Sequence, residues 1–157
     1  VIQLTYRLTQ VYAKKYSHGL YFETVLVQCL IIMQTKQTIA VIEDDEPIQR
    51  MYKFKLESSG FAVCCASDGR AGLEIIESFR PKLVLLDIMM PIMRGDEMLE
   101  KLRQTDWGAS MRVIILTNLS KDEAPHGLRF LNVDRYIVKA HHTPSRVVQL
   151  VQDILKP

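Results

Sequence analysis

Four hydrophobic runs, far apart in the chain, each end on a residue that can do chemistry. Ile39-Ala40-Val41-Ile42 leads into Glu43-Asp44, Leu83-Val84-Leu85-Leu86 into Asp87, Val113-Ile114-Ile115-Leu116 into Thr117, and Tyr136-Ile137-Val138 into Lys139. Carboxylates gathered side by side cannot all stay ionised without compensation, because two unit charges ~4 Å apart repel by roughly 4 kcal/mol at a surface-like effective dielectric. A hard cation with oxygen ligands resolves that repulsion. A site of one or two carboxylates, a backbone carbonyl, waters and a phosphoryl oxygen suits octahedral Mg²⁺ better than Ca²⁺, which prefers more protein oxygens. Lys139 adds a point charge for a phosphoryl oxygen, and Thr117 adds a hydroxyl donor. Asp87, alone at the end of the most apolar run, is a carboxylate of the kind that forms acyl phosphates.

These groups meet only if the runs are parallel neighbours. Continuous apolar stretches of this length suit strands buried on both faces, as in a parallel sheet, and ligands bind in such sheets just beyond the carboxyl ends of the strands. Strands are predicted at 38–42, 61–66, 82–87, 111–116 and 134–138. Helices are predicted at 46–59, 69–79, 96–104 and 121–131, with a last one opened by Thr143 or Pro144. Pro47 suits the first turn of the first helix and Gly60 its stop. Ser67 or Asp68 caps the second, and Pro81 follows its end. Pro91 and Gly95 punctuate the loop after Asp87. Five strands alternating with five helices imply right-handed βαβ units and a parallel sheet covered on both faces.

The 157 residues are 48% hydrophobic and 24% charged, with a net charge of +2, which is ordinary for one globular domain. Residues 1–36 carry Arg7, Lys14, Lys15 and Lys36 against Glu23, which leaves 16 basic and 17 acidic residues in the remainder. The body is therefore not a basic nucleic-acid binder. Three cysteines, Cys29, Cys64 and Cys65, with no metal-type spacing, point to a reducing cytoplasm.

Residues 1–32 show neither periodicity nor motif. Their most apolar stretch, from Val25 to Met33, is shorter than the about 20 residues that span a bilayer, and no small-residue cleavage site follows Lys14 and Lys15. The expectation is an N-terminal extension over 1–35 followed by the functional domain over 36–157. In this reading Met33 is the natural start and 1–32 is upstream sequence; the alternative is a membrane-surface or partner-binding appendage. The chain stops at Pro157, right after the last helix, and the corresponding expectation is a stand-alone domain without a C-terminal output domain.

From about Thr38 to Lys156 the chain resembles the receiver domain of two-component response regulators. The resemblance is carried by Val41-Ile42-Glu43-Asp44-Asp45-Glu46-Pro47-Ile48, Leu85-Leu86-Asp87-Ile88-Met89-Met90-Pro91, Leu116-Thr117 and Tyr136-Ile137-Val138-Lys139, with the intervals from Asp44 to Asp87 to Thr117 to Lys139 also those of the family. It implies a doubly wound, flavodoxin-like (βα)5 α/β fold with strand order 2-1-3-4-5. It further implies that Asp87 accepts a phosphoryl group from a sensor histidine kinase or phosphotransfer protein. Asp44 and Asp87 would ligate Mg²⁺ directly, Glu43 mostly through water, and the backbone carbonyl of Met89 would complete the protein ligands. Thr117 and Lys139 would contact the phosphoryl group, and Tyr136 would swing inward behind Thr117. From the residues alone Tyr136 reads first as an ordinary strand aromatic, and the resemblance favours the switch. The resemblance makes the surface of the fourth helix, fifth strand and last helix a switch for a downstream protein target or a homodimer. It implies no direct nucleic-acid or membrane partner, and no enzyme beyond self-phosphorylation and self-dephosphorylation.

Three residues depart from the family pattern: Asn118 after Thr117 where a small residue is usual, Ala140 after Lys139 where proline is usual, and Arg94 where Asp or Asn is common. Met89 and Leu119 flank the path of the hydrolytic water and are apolar, so a slowly hydrolysing acyl phosphate is expected. His141 and His142 lack a third ligand nearby and read as loop residues rather than a metal site. The rival functions are a pseudo-receiver acting as a phosphorylation-independent interaction module, and a phosphatase with an aspartate nucleophile. The first would lack Asp87, Lys139 or the acidic pair. The second commonly carries another Asp two residues after the nucleophile, where this chain has Met89.

Overall fold

A computed structural model describes residues 36–156 of the chain. The expectations for 1–35 lie outside the described residues.

The described elements follow the alternation in order: β1 (Thr38–Ile42), α1 (Glu46–Ser58), β2 (Ala62–Ala66), α2 (Gly69–Phe79), β3 (Leu83–Leu86), α3 (Gly95–Arg103), β4 (Arg112–Thr117), a 3-10 segment (His126–Phe130), β5 (Arg135–Val138), a second 3-10 turn (Lys139–His141) and α4 (Pro144–Leu155). The five strands form one parallel sheet in the order β2-β1-β3-β4-β5. This is the predicted doubly wound α/β arrangement.

Side chains alternate across the sheet, so each central strand feeds two cores. Ala40, Ile42, Val84, Leu86, Val113 and Ile115 pack with Ile76 of α2, Met98, Leu99 and Leu102 of α3, and Leu128 of the 3-10 segment. Ile39, Val41, Leu83, Leu85, Ile114, Leu116 and Ile137 pack on the other face with Tyr52 and Leu56 of α1 and Val147, Val148 and Val151 of α4. Each fully buried Leu or Ile contributes about 1.5–3 kcal/mol, which is why β1, β3 and β4 confine polar residues to their ends, Thr38, Arg112 and Thr117.

The helix starts are encoded locally. Asp45 caps α1 by accepting from the Ile48 N–H at 3.0 Å, with Pro47 in the first turn. Asp68, rather than Ser67, caps α2 through the N–H groups of Arg70 and Ala71. Thr143 caps α4 ahead of Pro144.

The predicted fourth helix over 121–131 is not formed. Residues 121–123 make a turn, and only His126–Phe130 winds, as a 3-10 segment. Pro125 sits in the middle of the predicted span. It has no N–H to donate, and it disfavours helical backbone at Ala124. Its own ψ of 129° is extended, and Gly127 adds no helix propensity. The segment's far end is held instead by Arg103, the last residue of α3. Its guanidinium donates to the carbonyls of Leu131 (2.8 Å), Asn132 (2.8 Å), Gly108 (2.6 Å) and Met111 (2.9 Å).

The β3–α3 loop closes tightly, with Gly95 N–H donating to the Ile88 carbonyl at 3.0 Å. A Cβ at Gly95 would stand 1.9 Å from the carbonyl oxygen of Asp87. Backbone must move to admit it, so Gly95→Ala is expected to cost about 3 kcal/mol or more. Urea unfolding measures this directly; an unchanged midpoint would contradict the close approach.

Candidate acidic site at the carboxyl edge of the sheet

Strand register places the reactive residues. Ile42 pairs with Leu86, Leu86 with Ile115, and Ile115 with Tyr136. Glu43 and Asp87 therefore leave the sheet side by side in the next row. Thr117 pairs with Val138 one residue further on, which sends Lys139 out at the same edge. The structure brings Glu43, Asp44, Asp87 and Lys139 into one cluster. Carboxylate oxygens of the three acids lie within 4.8 Å of one another. The Lys139 ammonium lies 2.6 Å from Glu43 Oε2 and 2.8 Å from Asp87 Oδ2.

The burial of this cluster sets its electrostatics. Glu43 is 3% exposed and Asp87 6%, whereas Asp44 is open to solvent. One ammonium cannot compensate three carboxylates. Burial pushes the Glu43 carboxyl up to about 7, and the charges of Asp87 and Asp44 add to this against the opposing pull of Lys139. For Lys139 the largest influence, burial, acts downward, but the hydrogen bonds and charges of Asp87 and Glu43 together outweigh it and hold the ammonium above its ordinary range. The Lys139 shift alone describes a favourable pair, and the Glu43 shift describes burial that opposes charge. They are reconciled if the uncompensated negative charge falls on the most deeply buried acid, Glu43.

Neighbouring backbone fixes the carboxylates. Asp87 Oδ1 accepts from the N–H of Ile88 at 2.6 Å and of Met89 at 3.3 Å, leaving Oδ2 to Lys139. The Glu43 N–H donates to the Ala66 carbonyl at 3.0 Å. Gln49 reaches back from α1, its Nε2 donating to the carbonyls of Glu43 (2.8 Å) and Ala66 (2.9 Å). Gln49 thereby locks the backbone of the acidic pair to β2. No sequence signal singled it out, because a glutamine one turn into a helix is unremarkable until its reach is known.

Thr117 is fully buried at the end of β4. Its Oγ1 accepts from the Leu119 N–H at 3.5 Å. Tyr136, by strand alternation on the same face as Thr117, packs against the core beside the 3-10 segment. Its hydroxyl lies 3.0 Å from the Leu119 carbonyl and 3.2 Å from that of Ser120. It thus ties β5 to the loop that follows Thr117.

The departures noted in the sequence sit around this cluster. Asn118 is exposed beside Thr117. Ala140 lies within the 3-10 turn Lys139–His141, and all described peptide bonds are trans. Arg94 ion-pairs with Asp96 at 3.0 Å and reaches Met89 Sδ at 3.2 Å. His142 Nδ1 lies 3.4 Å from the Val138 carbonyl. Among the described residues neither His141 nor His142 joins a group of three metal-ligating side chains. Cys64 is buried with its thiol pushed up to about 11, chiefly by burial.

A buried pair of acids and a third open to water form a set of hard oxygen donors, with a lysine bridging two of them. That set fits a divalent cation of the Mg²⁺ type, with room for waters on the Asp44 side. Among the described residues no helix is long and apolar enough to cross a membrane.

Comparison with known proteins agrees with this geometry. The model of the response regulator receiver domain matches residues 39–152. The chain is 36% identical over 121 residues to the alkaline phosphatase synthesis transcriptional regulatory protein PhoP of Bacillus subtilis, covering 75% of this chain and 48% of that protein. It spans about half the length of such curated relatives. Among solved structures it is similar to a CheY-like receiver domain protein from Methanospirillum hungatei (30% identity, TM-score 0.69, covering 77% of this chain and 94% of the other). It shares its fold with the Vibrio cholerae chemotaxis protein CheY4 (22% identity, TM-score 0.71, covering 77% and 100%). With the family model covering most of the described residues and the sheet order and acidic cluster in agreement, the chain belongs to the response regulator receiver domain family of two-component signalling.

Proposed function

We propose that residues 36–157 act as a phosphorelay receiver in which Asp87 is the phosphoacceptor. The observation that supports this most directly is the placement of Asp87: buried, held by two backbone N–H groups, and 2.8 Å from the one ammonium of the cluster. Receiver domains are not classical enzymes, although they take part in their own phosphorylation, and they interact with histidine kinases and downstream effectors.

In this reading a carboxylate oxygen of Asp87 attacks the phosphorus of a phosphohistidine on a sensor kinase or phosphotransfer protein. The new O–P bond forms as the P–N bond breaks, and the imidazole leaves carrying its proton. Mg²⁺, held by Asp44 and Asp87, by Glu43 through water and by the Met89 carbonyl, would neutralise the phosphoryl oxygens. Lys139 leaves its bridge between Glu43 and Asp87 and pairs with a phosphoryl oxygen. Thr117 exchanges its contact with Leu119 for one to the phosphoryl group. Tyr136 then gives up the carbonyls of Leu119 and Ser120 and turns inward. The face built by residues 118–130, β5 and α4 is remodelled for a downstream protein or a second copy of the chain. It is a two-state element biased by the phosphate contacts. The unbridged thiols of Cys64 and Cys65 support a cytoplasmic setting.

Incubation with Mg²⁺ and acetyl phosphate or phosphoramidate is expected to add the mass of one phosphoryl group to the intact protein, and Asp87→Asn to abolish the adduct. No adduct, with Mg²⁺ binding demonstrated separately, would sink the phosphoacceptor role and leave an interaction module. Because Met89 and Leu119 cannot orient water, the adduct is expected to persist for minutes or longer; loss within seconds without a phosphatase would contradict that.

Mg²⁺ at about 100 times its Kd is expected to raise unfolding stability by about 2.7 kcal/mol, an effect that Asp44→Asn removes in urea titrations. The raised pKa of Glu43 sets the sign of the pH dependence in metal-free protein. The fold favours the protonated form, so the penalty for ionised Glu43 is absent below its ordinary 4.5 and fully present above about 7. It amounts to on the order of 3 kcal/mol. With a chelator present, the urea midpoint of Glu43→Gln should therefore gain on that of the wild type between about pH 5 and about pH 8. Parallel pH profiles for the two proteins would contradict the burial of a charge at Glu43.

A further inference from the structure

Among the described residues, two of the three acids are held by partners of their own and the third is not. Asp87 is fixed by two backbone N–H groups and Lys139, and Glu43 by Lys139. Asp44 is exposed, and no described group donates to its carboxylate. Its direction therefore depends on the backbone that carries it. β2 ends at Ala66 and Asp68 already caps α2, so the β1–β2 ladder runs out where the Glu43 N–H meets the Ala66 carbonyl. The next acceptor along that edge, the Glu43 carbonyl, takes its donor from a side chain, Gln49 Nε2 at 2.8 Å. The same nitrogen donates to the Ala66 carbonyl at 2.9 Å. Both partners are carbonyl oxygens, so the amide must present its NH2 to them, one proton for each. Gln49 also grips the far side of Asp44, because its backbone N–H donates to the Asp45 carbonyl at 2.8 Å. The helix supplies that bond with any residue but proline; the bond to Glu43 needs a side-chain donor of this reach. A peptide unit is planar. A fixed Glu43 carbonyl therefore fixes the Glu43–Asp44 plane, and with it the Cα from which the Asp44 carboxylate projects.

We infer that Gln49 is a positioning residue for the carboxylate of Asp44, and that its amide sets the affinity of the acidic cluster for a divalent cation. This rests on the proposed Mg²⁺ role of the three acids and deepens it. Mg²⁺ demands near-ideal octahedral geometry and gives up its waters reluctantly. A carboxylate free to wander must be ordered at the moment of binding, which subtracts from affinity. Partners that orient metal ligands without touching the metal are typically worth 10–100-fold in metal affinity. The side-chain hydrogen bonds of Gln49 go to Glu43 and Ala66, not to Asp87, Thr117 or Lys139. Its influence on phosphoryl transfer therefore runs through occupancy of the cation site, and vanishes once that site is saturated.

The test compares the wild type with Gln49→Met, which keeps the length and helix propensity of the side chain but has no N–H. Gln49→Ala serves as a second variant should the first be too unstable to titrate. Three quantities are read on the full chain: the Mg²⁺ Kd from calorimetric titration of chelator-treated protein, the Mg²⁺ concentration that half-saturates phosphorylation by phosphoramidate, and the rate of that reaction at saturating Mg²⁺. Kd and the half-saturating concentration are expected to rise together about tenfold in the variants, with the saturated rate that of the wild type. An unchanged Kd, with only a lower urea midpoint in chelator, would make Gln49 a tie between strands and overturn the inference. A slower saturated rate at unchanged Kd would place its action on Asp87 and overturn it too. If the wild type binds Mg²⁺ but takes up no phosphoryl group, the role of Asp87 fails, while a tenfold shift in Kd still supports the inference. A wild type that binds no Mg²⁺ overturns the metal reading of the acids first, and the inference with it.

Discussion

Everything at the carboxyl edge of this sheet depends on confining three carboxylates around a single ammonium. Lys139 lies within 2.8 Å of both buried acids, yet it cannot neutralise the cluster, and the deficit shows in the raised pKa of Glu43. A site short of positive charge is one that gains by taking up a cation. The same shortage means that Lys139 is held by contacts that a phosphoryl group can replace. The cluster is thus held together by charge while remaining incomplete.

The scaffold tolerates this because the hydrophobic work is done elsewhere. Two cores, one on each face of the sheet, bury the middles of β1, β3 and β4 almost completely, and polar residues are confined to the strand ends. Gln49 and Gly95 then set the backbone of the acids, one by donating to the Glu43 carbonyl, the other by leaving room for the Asp87 carbonyl. On the far side of the site the connection between β4 and β5 is looser in kind. It lacks a regular helix, and it is tied at one end through the Tyr136 hydroxyl and at the other through the Arg103 guanidinium. A segment held by one buried anchor, Leu128, and a few replaceable hydrogen bonds at its ends is well suited to changing its arrangement.

How much of this was legible in the chain varies by element. The strands of the sheet were legible because their apolar runs admit no other burial, and Asp45, Asp68, Thr143 and Pro47 mark helix starts by local chemistry alone. The acids, Thr117 and Lys139 were legible because each ends such a run. The helix expected over 121–131 does not form, and Pro125 in its middle carries the contrary signal; backbone chemistry outweighs the alternation of elements there.

What the sequence by itself determined is the alternation of elements, the parallel sheet and the identity of the groups at its edge, because these follow from local propensity, capping and the burial of apolar runs. What only the tertiary structure decided is the register that sets Asp87 beside Glu43, the bridge from Lys139 to both, and the reach of Gln49 across to β2. Those features join residues far apart in the chain. Their energies exist only once the strands are paired, and no local pattern of residues encodes them.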